Sequence, residues 1–393
     1  MPTDDTYHME TDYAYGVNLR PDMLNLAPTG NGFYMHVTHT LFYMDADAME
    51  PVPVCNKPNC LHYAEPELDR FRACNAYFSL LYQPYTTFFD GHLYCISMVP
   101  IIGDQYNREQ PALVRTDPDG TNRKTLCRFE RNAMIEAAIA HRGIMYVSTR
   151  AWLENGTTAA EIWAYSLTET NREPELILTL PEYSQYSGAQ YLTAYGDSLY
   201  FSRYLTEAGE RELCIYNILT GEMTTLPTLE DGFSPQSVSF LGDKMLIVYR
   251  LYYQLDGVEG EAGFPERLYL CNLDGSNPEL LIEGLGDYSA DDRYIYRVPF
   301  VYTPGNEDTC LRIFDESGSE VDQVDLSELM DGKPLGEAGL YIPMGDRAMV
   351  WLRVKKQSRV YVYWFSKSEI GSGQIEMHPL IDYDKEYSEF DRQ

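Results

Sequence analysis

One short phrase, repeated seven times, limits what this 393-residue chain can become. In it a glycine stands beside a polar residue, and a hydrophobic stretch with an early aromatic follows. The copies read GNGFYMHV from Gly30, FDGHLYCIS from Phe89, HRGIMYVST from His141, YGDSLYFSR from Tyr195, LGDKMLIVY from Leu241, ADDRYIYRV from Ala290 and MGDRAMVWL from Met344. The glycines Gly32, Gly91, Gly143, Gly196, Gly242 and Gly345 fall about fifty residues apart once the sixth copy, where Asp291 and Asp292 replace the glycine, is counted. A period of that length marks a supersecondary unit that cannot bury its apolar faces alone.

Behind each phrase comes a second one, a strand ending in a tight turn and answered by another strand. Examples are ALVRTDPDGTNRKTL, ELCIYNILTGEMTTL, RLYLCNLDGSNPELLI and CLRIFDESGSEVDQVDL. Gly120, Gly221, Gly275 and Gly318 stand where such a hairpin needs a residue tolerant of positive φ. Each unit therefore supplies four antiparallel strands. Seven such units predict an all-β chain, a seven-bladed β-propeller of four-stranded antiparallel blades, because radial stacking leaves only short, protected edges.

No Pro/Ser-rich linker or charge run divides the chain. It reads as an N-terminal arm over 1–20, a single propeller domain over 21–380 and a C-terminal tail over 381–393. Sixty acidic residues against thirty basic ones give a formal charge of −30, a field that repels phosphate backbones, so nucleic acid is not an expected partner. No run of about 18 apolar residues occurs, so no transmembrane segment is expected. The opening MPTDDTYHMETDYAYG lacks the basic and apolar regions of a signal peptide and reads as cytoplasmic if Met1 is native. The 33 tyrosines suit half-buried pleated surface with the hydroxyl reaching out; the same residues would also suit a sugar-binding face.

Between the first two units lies the one long departure from the period, residues 55–78. Cys55, Cys60, His62 and Cys74 are spaced C-x4-C-x-H-x11-C, with Pro58 and Asn59 forming a turn between the first two. Three thiols and an imidazole match the tetrahedral donor set of structural zinc. A disulfide such as Cys60 to Cys74 with a spare thiol, or three buried thiols beside a surface histidine, would account for the same residues. If a metal binds, four protein ligands leave no open position, so the site would be structural and not catalytic. The other cysteines, Cys95, Cys127, Cys214, Cys271 and Cys310, lie singly in apolar strands and read as small core hydrophobes.

The segment CNKPNCLH followed by CNAYF, together with turns such as NLDGSNPELL and DPDGTNRKTL, resembles uncharacterised Firmicutes β-propeller proteins with TolB-like and DUF5050-type repeats. The resemblance covers the cysteine segment closely and the blades loosely. It implies a propeller fold and an exported or cell-envelope setting, and no assigned activity.

Signatures of catalysis are missing from the sequence: no G-x-S-x-G, no H-E-x-x-H, no P-loop and no calcium loop. His36 and His39 in HVTH are an odd number apart, which puts them on opposite faces of a strand unless the turn falls between them, and they read as a poor candidate for a metal pair. Asp291 and Asp292 read as turn residues, and His92 and His141, at equivalent turns, read as solvated loop residues. The sequence thus favours a non-enzymatic binding or scaffold propeller that engages a protein, peptide or glycan ligand at one face of the ring. The rival reading is a carbohydrate-active hydrolase or lyase using carboxylates and tyrosines at the central channel.

Overall fold

The computed structural model describes residues 24–383 except 38, 80–84, 105–107, 131–132, 153–157, 170, 181–187, 206–209, 227, 252–265, 285, 300–307, 342–344 and 355–359. The expected arm over 1–20 lies outside these residues, as does the tail from 384. The last strand, His378–Tyr383, continues past residue 380.

Twenty-eight strands form seven four-stranded sheets. Each sheet is an antiparallel meander of four consecutive strands, so the blades follow the chain: 24–53, 85–128, 133–180, 190–226, 233–284, 287–325 and 335–383. The first strands of successive blades pack beside one another around the axis. Among the described residues, no strand is exchanged between the last blade and the first.

Both faces of each blade are apolar, and the core accordingly divides by seam. Seven hydrophobic clusters occur, and each one joins a pair of adjacent blades. The ring closes through Phe33, Met35 and Phe42 of blade one against Met349, Trp351 and Val362 of blade seven. Cys95, Cys214 and Cys271 are buried in these seams as expected, whereas Cys127 and Cys310 are half-buried.

The early aromatic of the repeat also has a polar task. Tyr34, Tyr94 and Tyr200 occupy matching places on the second strands of blades one, two and four. Their hydroxyls donate to the carbonyls of Pro118 (3.2 Å), Leu167 (3.0 Å) and Leu273 (3.4 Å), each in the next blade. The ring of each tyrosine fills the seam while its hydroxyl satisfies a backbone acceptor across it.

Turn chemistry holds where it was expected. Asp291 accepts from the backbone N–H of Arg293 (2.9 Å) and Tyr294 (2.8 Å), and from Tyr296 Oη (2.9 Å). It also meets Lys367 of blade seven at 3.0 Å, so this carboxylate ties two blades together. His141 departs from expectation. It is 1% exposed, with Nε2 at 2.7 Å from the Gly196 carbonyl oxygen of the next blade, because the inner hairpin turns pack on their neighbours rather than project into water.

Candidate metal centre and the arginine-lined end of the ring

The chain leaves blade one at Val54, makes the cysteine lobe and returns alongside the start of the third strand of that blade, Thr40–Asp45. Val54 N donates to Leu41 O (2.9 Å), Leu41 N to Ala76 O (2.9 Å) and Phe78 N to His39 O (2.9 Å), and an isolated bridge pairs Thr40 with Tyr77. Val54 and Phe78 are buried in the seam between blades one and two, so both roots of the lobe are anchored.

Within the lobe, Asn59 at φ 60° turns the chain between Cys55 and Cys60, and His62 at φ 52° opens the single 3-10 turn His62–Ala64. The short helix Leu68–Arg72 buries Phe71 and delivers Cys74 into the interior at its end. These local turns gather the four predicted residues: the donor atoms of Cys55, Cys60, His62 and Cys74 all lie within 4.8 Å of one another. Cys74 Sγ stands 3.5 Å from His62 Nδ1. Bonds of about 2.3 Å to sulfur and 2.0–2.1 Å to nitrogen give a tetrahedral S···N edge of roughly 3.6 Å, so this pair is already at the spacing a zinc ion would require.

The electrostatics suit a cation. Burial raises the Cys55 thiol, but the backbone N–H groups of Lys57 and Asn75 and the thiols of Cys74 and Cys60 outweigh it and hold the group below its ordinary value. Burial, joined by the neighbouring thiols, pushes Cys74 up to about 12. Burial lowers His62, which favours the neutral, ligating imidazole. One thiol of the set is thus easier to ionise than an ordinary cysteine and another harder, and a bound cation would favour the thiolate at both. The set could hold a metal such as zinc, and all eight cysteines are free thiols.

Around the donors the lobe is braced on blade two. Asn56 Nδ2 donates to Asp119 (2.8 Å), Asn75 Nδ2 to Asn56 (3.1 Å) and Arg123 to the Asn75 carbonyl (2.8 Å), and the Arg123 guanidinium lies 4.1 Å above the Phe78 ring. Gly120, at φ 78°, turns the outer hairpin of blade two directly beneath. A Cβ there would come within 2.7 Å of Val54 O and 2.8 Å of Asn75 O.

The turn falls between the strands Gly32–Val37 and Thr40–Asp45, so His36 and His39 do not share one strand. His36 is fully buried, while His39 faces Tyr77 and the Phe78 carbonyl. His92 is half-buried, with Nδ1 at 2.9 Å from Asp90 O and Nε2 at 3.7 Å from Asp117.

Sequence reading missed a second constellation. Five blades carry an arginine near the end of the second strand: Arg150, Arg203, Arg250, Arg297 and Arg353. Each meets a carboxylate: Arg150 with Glu136 (2.7 Å), Arg203 with Glu212, Arg250 with Glu266, Arg297 with Asp308 (2.6 Å) and Arg353 with Glu337 (2.8 Å). At this same end the inner strands of blades three, four, five and seven slip register by a bulge against their partners. Bulges re-aim side chains and gather at ligand sites. The signal lay in the repeat itself, whose copies run on to VSTR, YFSR, IVYR, YIYR and VWLR.

Comparison with known proteins places the fold and little else. The sequence matches no protein-family profile and no curated protein. A Mycobacterium tuberculosis puromycin-hydrolyzing peptidase is 12% identical at a TM-score of 0.55, over 95% of this chain and 55% of that one. An oligogalacturonate lyase in complex with manganese is 10% identical at a TM-score of 0.50, over 89% of this chain and 90% of that one. A putative TolB from Agrobacterium tumefaciens is 10% identical at a TM-score of 0.39, over 67% of this chain and 80% of that one. At such low identity the first two likenesses speak to the fold alone, and a fold does not fix a function. No helix among the described residues is long and apolar enough to cross a membrane.

Proposed function

We propose that this chain is a non-enzymatic binding or scaffold propeller of the cell envelope that engages a glycan, peptide or protein at the arginine-lined end, with one structural zinc in the Cys55, Cys60, His62, Cys74 knot. The observation that carries the reading is the neutralisation of the carboxylates at that end. A hydrolase or lyase working through paired carboxylates needs them free to move protons or attack, yet Glu136, Glu212, Asp308 and Glu337 are each engaged by an arginine, and Glu266, which burial raises to about 7 against the pull of Arg250, is only 2% exposed. The donor set of the knot points the same way, since three thiols and an imidazole fill a tetrahedron and leave no place for substrate or water. The envelope setting is supported by the resemblance of the cysteine segment to Firmicutes propellers.

The test is a glycan and peptide array on metal-loaded protein, run beside an unbiased glycoside hydrolase and lyase screen. Saturable binding without turnover is the expected result. Robust turnover in the screen would overturn the reading and favour the carbohydrate-active alternative.

A further inference from the structure

Arg211 differs from the five paired arginines. It opens the third strand of blade four, Arg211–Asn217, directly across from Tyr204, so the two side chains share a face. Arg203 and Glu212, one residue along on each strand, share the opposite face and close on each other as an ion pair. Tyr200 and Leu213 follow Tyr204 and Arg211 on the same face and belong to the cluster between blades four and five. Arg211 therefore stands at the mouth of that seam.

Arg211 is 7% exposed, and among the described residues no carboxylate meets its guanidinium. Nη2 donates to Tyr204 Oη, and the group lies 4.1 Å from the Tyr204 ring centre and 5.4 Å from that of Tyr191. Nε and Nη1 have no hydrogen-bond partner among the described residues. A charged group buried with two donors unmet is costly in free energy, a penalty that an arriving anion removes. That this occurs in a chain with sixty acidic residues makes the omission of a carboxylate the more pointed.

Tyr191 supplies an independent sign. It sits at φ 54° inside the bulge between Gln190 and Thr193, a left-handed conformation that is strained for a bulky L-residue. The strain carries its ring to the guanidinium instead of into the regular ladder.

We propose that Arg211, flanked by Tyr191 and Tyr204, recognises a carboxylate group of a small ligand entering the seam between blades four and five. This rests on the binding reading above and specifies its chemistry. The Nε and Nη1 donors take the ligand oxygens by charge-assisted hydrogen bonds, and the two tyrosine rings hold the guanidinium plane in place. Two sources of the group fit, a sugar acid or the free C-terminus of a short peptide.

The experiment is calorimetric titration of the full chain with D-glucuronate, with triglycine and, as controls, with glucose and triglycine amide. Saturable binding of one carboxylate probe without its neutral control is expected, and the probe that binds identifies the source. Arg211→Gln should weaken that binding about tenfold or more. Tyr204→Phe, which keeps the ring, should remain folded and weaken it less. Binding of neutral and charged probes alike, no saturable binding of either carboxylate, or an unchanged affinity in Arg211→Gln would overturn the proposal. An array ligand that binds wild type and Arg211→Gln equally would refute this site and leave the binding propeller standing; an array with no ligand would refute both.

Discussion

The His36 imidazole has no exposed surface, and neither ring nitrogen meets a partner among the described residues. The Phe78 ring stands edge-on at 5.2 Å. Burial, aided by His39 and Arg123, lowers its pKa to about 3, whereas the unfolded residue titrates near 6.5. Below pH 6.5 the unfolded chain binds a proton that the folded chain refuses, so this residue's share of stability is complete above that pH. It is lost as pH falls toward 3, at about 1.4 kcal/mol per pH unit. In urea unfolding, His36→Leu should be at least as stable as wild type at pH 7, because an unmet polar group has gone, and should lose less between pH 7 and pH 4.5. An equal loss in both proteins would remove His36 from the account. The tyrosine ties are separable in the same assay. Tyr94→Phe keeps the ring in its seam and strands the Leu167 carbonyl, for an expected loss of about 1 kcal/mol. No change would mean that water takes over that carbonyl. The aromatic of the repeat was legible in sequence, but its cross-blade acceptor was not, since it lies 73 residues away and exists only once the blades stack. His141 was misread for the same reason.

At the scale of elements, the cysteine lobe shows what spacing can and cannot reveal. Residue types and order were enough to nominate all four donors, because a turn between two thiols is a local property. Two other features were invisible: the return of Ala76–Phe78 alongside the start of the third strand of blade one, Thr40–Asp45, and the support of the lobe by Gly120 of the next blade. Both depend on contacts across the first seam. The arginines lay between these cases, since strand ends must be known before five terminal arginines can be recognised as one feature. With zinc in the knot, elemental analysis of protein purified without chelator should find about one zinc per chain, and Cys60→Ser should lose it. Removing the metal should lower the melting temperature while the far-UV strand signal persists, because seven seams hold the ring and only one borders the lobe. Absence of metal with two thiols missing from the eight under denaturing conditions would identify a disulfide instead.

Across the whole molecule, the seam that joins blade seven to blade one differs from the other six in its connection. Among the described residues, no chain segment links these two blades except the entire ring, and no strand crosses between them. Its hold comes from side-chain packing, in which Trp351 is central. The indole is 5% exposed, and Gly339 on the inner strand lies beneath it, where a Cβ would come 2.1 Å from Nε1. Repeat proteins are stabilised by nearest-neighbour interfaces, so a weakened seam opens where it is weak before the rest unfolds. Trp351→Ala removes the largest buried side chain of the closing cluster at an expected cost of about 3–5 kcal/mol. Hydrogen exchange should then accelerate in blades one and seven while blades three to five keep their protection. Faster exchange spread evenly over all seven blades would show instead that the ring unfolds as one cooperative unit and that closure is no weaker than any other seam.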